Sequence, residues 1–127
     1  MTVLERWHDY VERGDPALLE ALIADDCVFQ SPAVHSPQPG KAITLKYLRA
    51  ALVVLNGPSF RYLDQWVLAN KAVLEFEAEV DGLTVNGVDM IWWNDAGQIT
   101  RFKVMVRPLK ALHALVAQMA AELSREG

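Results

Sequence analysis

A single cysteine, Cys27, leaves this chain of 127 residues without a partner for an intrachain disulfide, so burial must hold the fold and a reducing compartment fits. Long apolar runs are missing as well. Nothing in the sequence approaches the roughly 20 residues that a membrane-spanning helix needs. Near the N-terminus, Glu5, Arg6, His8 and Asp9 interrupt any apolar segment of a secretory signal. Positive charge is in short supply: 12 Lys and Arg stand against 16 Asp and Glu, a net charge of -4. That balance argues against nucleic acid or an anionic membrane as a partner. His8 and His113 have no cysteine or acid at ligand spacing, so no metal and no cofactor are expected. Repeats, linkers and low-complexity stretches are absent too. The expectation is one cytoplasmic domain spanning residues 1–127, because 52% hydrophobic content can build one core and leaves no length for another.

What the sequence does contain is a run of clean alternation from Leu74 to Val106. Leu74, Phe76, Ala78 and Val80 fall on one side of a strand and Glu75, Glu77 and Glu79 on the other, the period-2 pattern of a sheet with one wet face. Asp81-Gly82 predicts a two-residue hairpin turn, since both positions need positive φ and this dipeptide supplies it cheaply. The turn sets Val80 against Leu83, Ala78 against Val85, Phe76 against Gly87 and Leu74 against Asp89. A four-residue turn at Asn94-Asp95-Ala96-Gly97 then sets Asp89 against Phe102, flanked by Thr100 and Val104. One acid, Asp89, thus points with the apolar set. Arg101 and Lys103 share the outer face with the glutamates, and cross-strand pairing accounts for that charge row.

Around these strands the spacing predicts helices. Thr2 and Glu5 form a capping box ahead of Val3, Leu4, Trp7 and Val11, and Gly14 ends that helix. Asp15 as N-cap and Pro16 at the first helical position begin a second helix, with Leu18, Leu19, Leu22 and Ile23 inward. A short strand, Cys27 to Ser31, closes at Pro32. A stiff proline-rich loop carrying His35 leads to a third helix from about Lys41 to Leu55, which buries Ile43, Tyr47, Leu48, Ala51, Leu52 and Leu55. A strand from Phe60 to about Ala69 follows. A two- or four-residue loop places Leu63, Gln65 and Val67 on the Asp89 face, with Phe60, Tyr62, Asp64 and Trp66 outside. After Pro108 a last helix carries the stripe Leu109, Leu112, Leu115, Val116 and Met119, which must cover something apolar, either the open end of the sheet or a partner subunit. The order predicts an α+β fold in which helices gather on one face of a curled antiparallel sheet.

The stretches GDPALLEALIADDCVFQSPAVHSPQPGKAI and VNGVDMIWWNDAGQI resemble the nuclear transport factor 2-like superfamily, and within it the SnoaL-like proteins and ketosteroid isomerases, over roughly Val3 to Arg107. The resemblance implies a cone-shaped curved antiparallel sheet packed against three N-terminal helices, here with an added C-terminal helix, enclosing a pocket. Ketosteroid isomerases would place a helix-one tyrosine, a general-base aspartate and an oxyanion-binding aspartic acid where this chain has Trp7, Ser31 and Asp89. Only the third is retained, and a serine hydroxyl cannot replace the base. Limonene-epoxide-hydrolase-like chemistry would need a second inward carboxylate, which is missing. Polyketide-cyclase-like chemistry, with one aspartate as acid/base, survives.

The candidate catalytic residues are therefore Asp89 and His35. Asp89 is either the acid/base of a pocket or a buried acid satisfied by the Trp7 indole or Gln65. His35 is either a base at the pocket mouth or a solvated loop histidine. Candidate ligand-binding residues are Trp7, Phe29, Ser31, Gln65, Leu74, Phe76, Val85, Phe102, Val104 and Val106. The expected ligand is a small, largely apolar carbonyl or polyketide-like molecule, in an isomerase- or cyclase-type reaction centred on Asp89. The alternative is a non-catalytic small-molecule binder or dimeric scaffold. Met90, Trp92 and Met105 on the outer sheet face predict a homodimer through that face.

Overall fold

The structure is a computed structural model and describes residues 1–125. Its elements in chain order are α1 (Val3–Arg13), α2 (Pro16–Leu22), β1 (Ile23–Gln30), β2 (Gln38–Pro39), α3 (Lys41–Leu55), β3 (Arg61–Leu68), β4 (Lys71–Val80), β5 (Leu83–Trp93), β6 (Ile99–Arg107) and α4 (Leu109–Arg125). The strands form one six-stranded sheet in the order β2-β1-β6-β5-β4-β3. The expected α+β architecture of helices against a curved sheet holds, with one refinement. The sheet is mixed, because β1 runs parallel to β6 while the other pairs are antiparallel. Among the described residues no helix is long and apolar enough to cross a membrane.

Local chemistry sets the helix ends. Thr2 Oγ1 accepts from the Glu5 N–H at 3.1 Å while Glu5 returns a bond to the Thr2 N–H at 2.8 Å, so α1 starts on a complete capping box. A cap of this kind stabilises a helix by about 1 kcal/mol. Gly14 closes the helix at φ 69°, in the left-handed region. Asp15 then caps α2 through the Ala17 N–H, and Pro16 fills its first position. Arg6 ties the helices to the sheet by donating to the Gly97 and Ala21 carbonyls.

The β4–β5 hairpin follows the alternation residue by residue, including Leu74 opposite Asp89, and Asp81 takes φ 52° in the turn. Leu74, Val85, Ile91 and Ile99 on the covered face are fully buried. Each such side chain contributes about 1.5–3 kcal/mol relative to an exposed one.

Three expectations change at irregularities in the ladders. Between β5 and β6 the register slips next to the turn, so Asp89 pairs with Val104 and Ile91 with Phe102, and not Asp89 with Phe102. The slip places the fully buried Ile99 inward instead of Thr100. In β1 a similar irregularity lets Asp25 and Asp26 stay exposed within a strand that starts at Ile23, earlier than Cys27.

The third change matters most for the site. Gln65 pairs with Leu74 as the two-residue loop requires, but a bulge at Leu63 resets the phase, so Tyr62 pairs with Phe76 and turns inward. Phe60 follows it and stacks on Phe76 at 5.9 Å. Strict alternation along β3 places both outside. Leu63 itself is 44% exposed, and Val67 is exposed on the edge strand. On α3, Thr44, Leu45, Leu48 and Ala50 are the fully buried set, while Tyr47, Ala51, Leu52 and Leu55 remain only partly covered. On α4, Ala111 and Leu115 are buried and Leu109 is exposed, so the covering stripe begins at Ala111 and not at Leu109.

Candidate functional site

The incomplete burial along α3 has a cause: those residues face a cavity of about 230 Å³ between the sheet and the helices. Its floor is Phe76, Asp89, Phe102 and Val104 from β4, β5 and β6. Trp7, Tyr10 and Val11 of α1 and Phe29 of β1 form one wall, and Tyr47, Leu48, Ala51, Leu52 and Leu55 of α3 another. The mouth lies among Ala33, Val34, Asn56, Val116 and Ala120, the exposed members of the lining. Helix α4 adds Leu115, Val116, Met119, Ala120 and Leu123 to the lining, and it packs against α3, β5 and β6.

Aromatic packing shapes the interior. Phe29 stacks on Tyr47 at 5.2 Å, Trp7 lies 4.9 Å from Phe102, and Phe60 meets Tyr62 edge to face at 5.1 Å. Into this apolar space Asp89 carries the one carboxylate among the described lining residues. It is 8% exposed. Its Oδ2 accepts from the Tyr62 hydroxyl at 2.8 Å, and the Tyr62 oxygen in turn accepts from the Trp7 indole N–H at 2.9 Å.

Burial pushes the Asp89 carboxyl up to about 7 from an ordinary value of 3.8, opposed by the hydrogen bond from Tyr62. The Tyr62 phenol is raised well above the usual tyrosine range, first by burial and then by the charge of Asp89. A carboxyl balanced near neutrality has both forms within reach: neutral, it donates to an oxygen, and ionised, it accepts a proton.

Of the residues singled out in the sequence, Trp7, Phe29, Ser31, Phe76, Asp89, Phe102 and Val104 border this one cavity. Leu74 and Val85 are instead fully buried within the packed core, and Val106 packs beside Phe76 and Val85. Gln65 is exposed on the edge strand, where its Oε1 lies 2.8 Å from His8 Nε2. Ser31 accepts from the Ala33 N–H at 3.0 Å, a local turn that leaves its hydroxyl hydrogen free. His35 stays exposed on the same loop, outside the lining. Asp89 is satisfied by neither the Trp7 indole nor Gln65 directly but by Tyr62, with Trp7 one step behind.

Tyr62 is the site residue that strict alternation misses. A signal for it exists in the spacing of Arg61 and Asp64, which pair with Glu77 and Glu75 on the outer face. Two polar residues three apart cannot share one face of a strand unless one residue between them is extra.

The family model of the SnoaL-like domain matches residues 4–102. Among solved structures, a steroid delta-isomerase from Pseudomonas aeruginosa is 36% identical, with a TM-score of 0.91, 98% of this chain covered and 90% of that one. An uncharacterised bacterial protein with a cystatin-like fold from Silicibacter pomeroyi is 32% identical, with a TM-score of 0.85, 94% of this chain covered and 83% of that one. An NTF2-like protein of unknown function from Mesorhizobium loti, at 23% identity, TM-score 0.71 and coverage of 84% and 88%, shares the fold. No protein of curated function matches the sequence at a significant level.

Proposed function

From the premise that the chain belongs to the SnoaL-like domain family, we propose that it binds a small, largely apolar carbonyl compound in this cavity and uses Asp89 as the acid/base group of an isomerase- or cyclase-type reaction. The observation that carries this reading is a single carboxyl, poised near neutrality, in a space lined mostly by apolar and aromatic side chains, with Ser31 and Asn56 as the other non-aromatic polar groups. A volume of about 230 Å³ lies below the roughly 300–1,000 Å³ usual for drug-sized ligands, so the compound is compact or extends through the mouth.

Isomerisation across a carbonyl needs a base at carbon as well as a donor at oxygen. The resemblance to ketosteroid isomerases implies Ser31 at the position of such a base, and no second carboxylate is found among the described lining residues. Cyclase-like use of one acid asks less. Asp89 gives its proton to a carbonyl oxygen as an enol carbon of the same molecule attacks, and its carboxylate then takes the proton that the enol oxygen sheds. The similarity to the Pseudomonas protein keeps isomerisation in view, while Ser31 favours ring closure or binding without turnover.

The deciding experiment follows ligand binding and turnover with apolar unsaturated ketones and short poly-β-ketones, in the wild-type protein, Asp89→Asn and Asp89→Leu. Retained binding with lost turnover in Asp89→Asn supports acid/base work. Binding lost only in Asp89→Leu, with no turnover in any form, favours the binder. Unchanged affinity and turnover in both variants would make Asp89 a core residue and defeat the proposal.

A further inference from the structure

Trp7 on α1 and Tyr62 on β3 form a hydrogen-bond chain with only one allowed direction. The Trp7 Nε1–H donates to the Tyr62 oxygen at 2.9 Å, and the Tyr62 hydroxyl donates to Asp89 Oδ2 at 2.8 Å. An indole nitrogen is a donor only, and a phenol has one hydrogen to give. With Trp7 on one lone pair, that hydrogen has Asp89 as its acceptor among the described residues. A proton on Oδ2 would meet it head-on, so a neutral Asp89 carries its proton on Oδ1. No enclosed side-chain oxygen or nitrogen lacks a partner among the described residues, and Oδ1 has none from protein, so Oδ1 opens onto the cavity.

Resting on the reading of Asp89 as the acid/base group, we propose that Trp7 and Tyr62 are positioning residues. They hold Asp89 so that it meets one ligand oxygen, a ketone-type acceptor, through Oδ1 and not through Oδ2. Tyr62 is withheld from the ligand, because its hydrogen is already committed. A second ligand oxygen set against the Tyr62 hydroxyl would lose its water without gaining a donor, which selects against a two-oxygen chelate of Asp89 and Tyr62.

Although Ser31 and Asn56 also bring polar groups to the lining, among the described residues no side chain but that of Tyr62 bonds to Asp89. Leu74 and Val104 pair with it from β4 and β6, and α4 brings only apolar side chains to the cavity. Tyr10 and Tyr47 are the remaining titratable residues of the described lining, and no lysine or arginine is among them. His8 stands off the cavity, edge-on to the Tyr62 ring at 5.1 Å.

The test has two arms. In the first, carbon NMR of the Asp89 carboxyl is followed against pH in wild type, Tyr62→Phe and Trp7→Phe. Losing a hydrogen bond to a charged group moves the midpoint up by about one to two pH units in Tyr62→Phe. A smaller rise follows in Trp7→Phe, where the Tyr62 hydroxyl is no longer held. In the unmutated protein the Trp7 indole N–H resonance must move with the same midpoint, which keeps the test valid if a variant fails to fold. Midpoints unchanged in folded variants, or an indole resonance indifferent to Asp89, overturn the chain.

The second arm compares 2-acetylnaphthalene with 2-ethylnaphthalene as probes. Below the Asp89 midpoint the ketone binds about tenfold or more tightly, the value of one good hydrogen bond. Above it the preference disappears. Equal affinities at all pH values, or no binding of either compound, overturn the single-oxygen reading and the proposed function with it. Unshifted midpoints in the first arm overturn the role of Trp7 and Tyr62 alone.

Discussion

The Phe76 ring occupies the space that a side chain on Gly87 would need. A β carbon built on Gly87 comes within 2.6 Å of Phe76 Cζ and 2.6 Å of the Met105 carbonyl oxygen. Gly87 sits opposite Phe76 in the β4–β5 ladder, so its bare backbone lets the ring lie flat against the sheet and leaves the cavity above it open. Gly87→Ala is expected to push Phe76 toward the cavity and to cost about 1–3 kcal/mol, the range for overpacking a dense core. Urea unfolding gives the stability, and a midpoint equal to wild type would contradict the close packing.

Stability is expected to fall as pH rises through neutrality, and Asp89 is the cause. Its folded value, about 7, stands above the ordinary 3.8, so between these limits the folded protein binds a proton that the unfolded chain has released. The stabilisation is complete below the lower value and is lost as pH climbs through the upper one. The span corresponds to about 4 kcal/mol at most. Asp89→Asn keeps an acceptor for Tyr62 and removes the titration, so its stability relative to wild type should improve from about pH 4 to about pH 7 and level off above that. A difference that stays constant over that interval would rule out the shifted carboxyl.

The sequence disclosed most of this architecture because its strongest signals were local. The Thr2–Glu5 box, the Asp15-Pro16 start and the Asp81-Gly82 turn each fix a boundary within a few residues. The face of Asp89 was legible because alternation around one tight turn is self-consistent. What escaped were the extra residues in the ladders. A bulge at Leu63 costs little, so nothing in composition announces it, yet it moves Phe60 and Tyr62 from the outer face to the site. Gln65 failed as a ligand candidate for a related reason. It has the right parity, but on the edge strand it reaches only His8 at the rim of α1 and stays exposed, off the cavity lining.

The outer sheet face is proposed to pair with a second copy of the chain. Trp66 is 53% exposed, Leu68 65% and Met105 48%, and they lie beside the partly covered Met90 and Trp92. Trp66, Val73 and Met90 share one row across β3, β4 and β5, and Leu68 and Trp92 flank Lys71 in the next. Arg101 lies 4.8 Å over the Trp92 ring, a cation-bearing rim to the apolar strip. A two-fold contact would cover this strip on both copies. Sedimentation at micromolar concentration should give a species twice the 14.2 kDa of the chain, and Trp66→Glu should return it to monomer. A wild-type monomer under those conditions would remove the dimer.

Helix α4 is expected to govern access to the cavity. The family match ends at residue 102, ahead of this helix, whereas the similarity to the Pseudomonas structure covers 98% of the chain and so extends over it. It commits few side chains to full burial, Ala111 and Leu115, and spends Val116, Met119, Ala120 and Leu123 on the cavity lining. Helix propensity alone holds an isolated segment of this length only marginally, so its position depends on that apolar contact. Removing everything after Lys110 would uncover Phe76, Val85 and the α3 residues Val54 and Leu55 that pack with Ala111 and Ala114. The truncated chain should bind an apolar fluorescent dye more strongly and melt at lower temperature. A gentler change, Ala120→Trp at the mouth, should leave melting nearly unchanged while slowing ligand entry measured by stopped flow. Truncation without effect on dye binding or melting would show that α4 covers nothing, and unaltered entry in Ala120→Trp would show that the ligand takes another path.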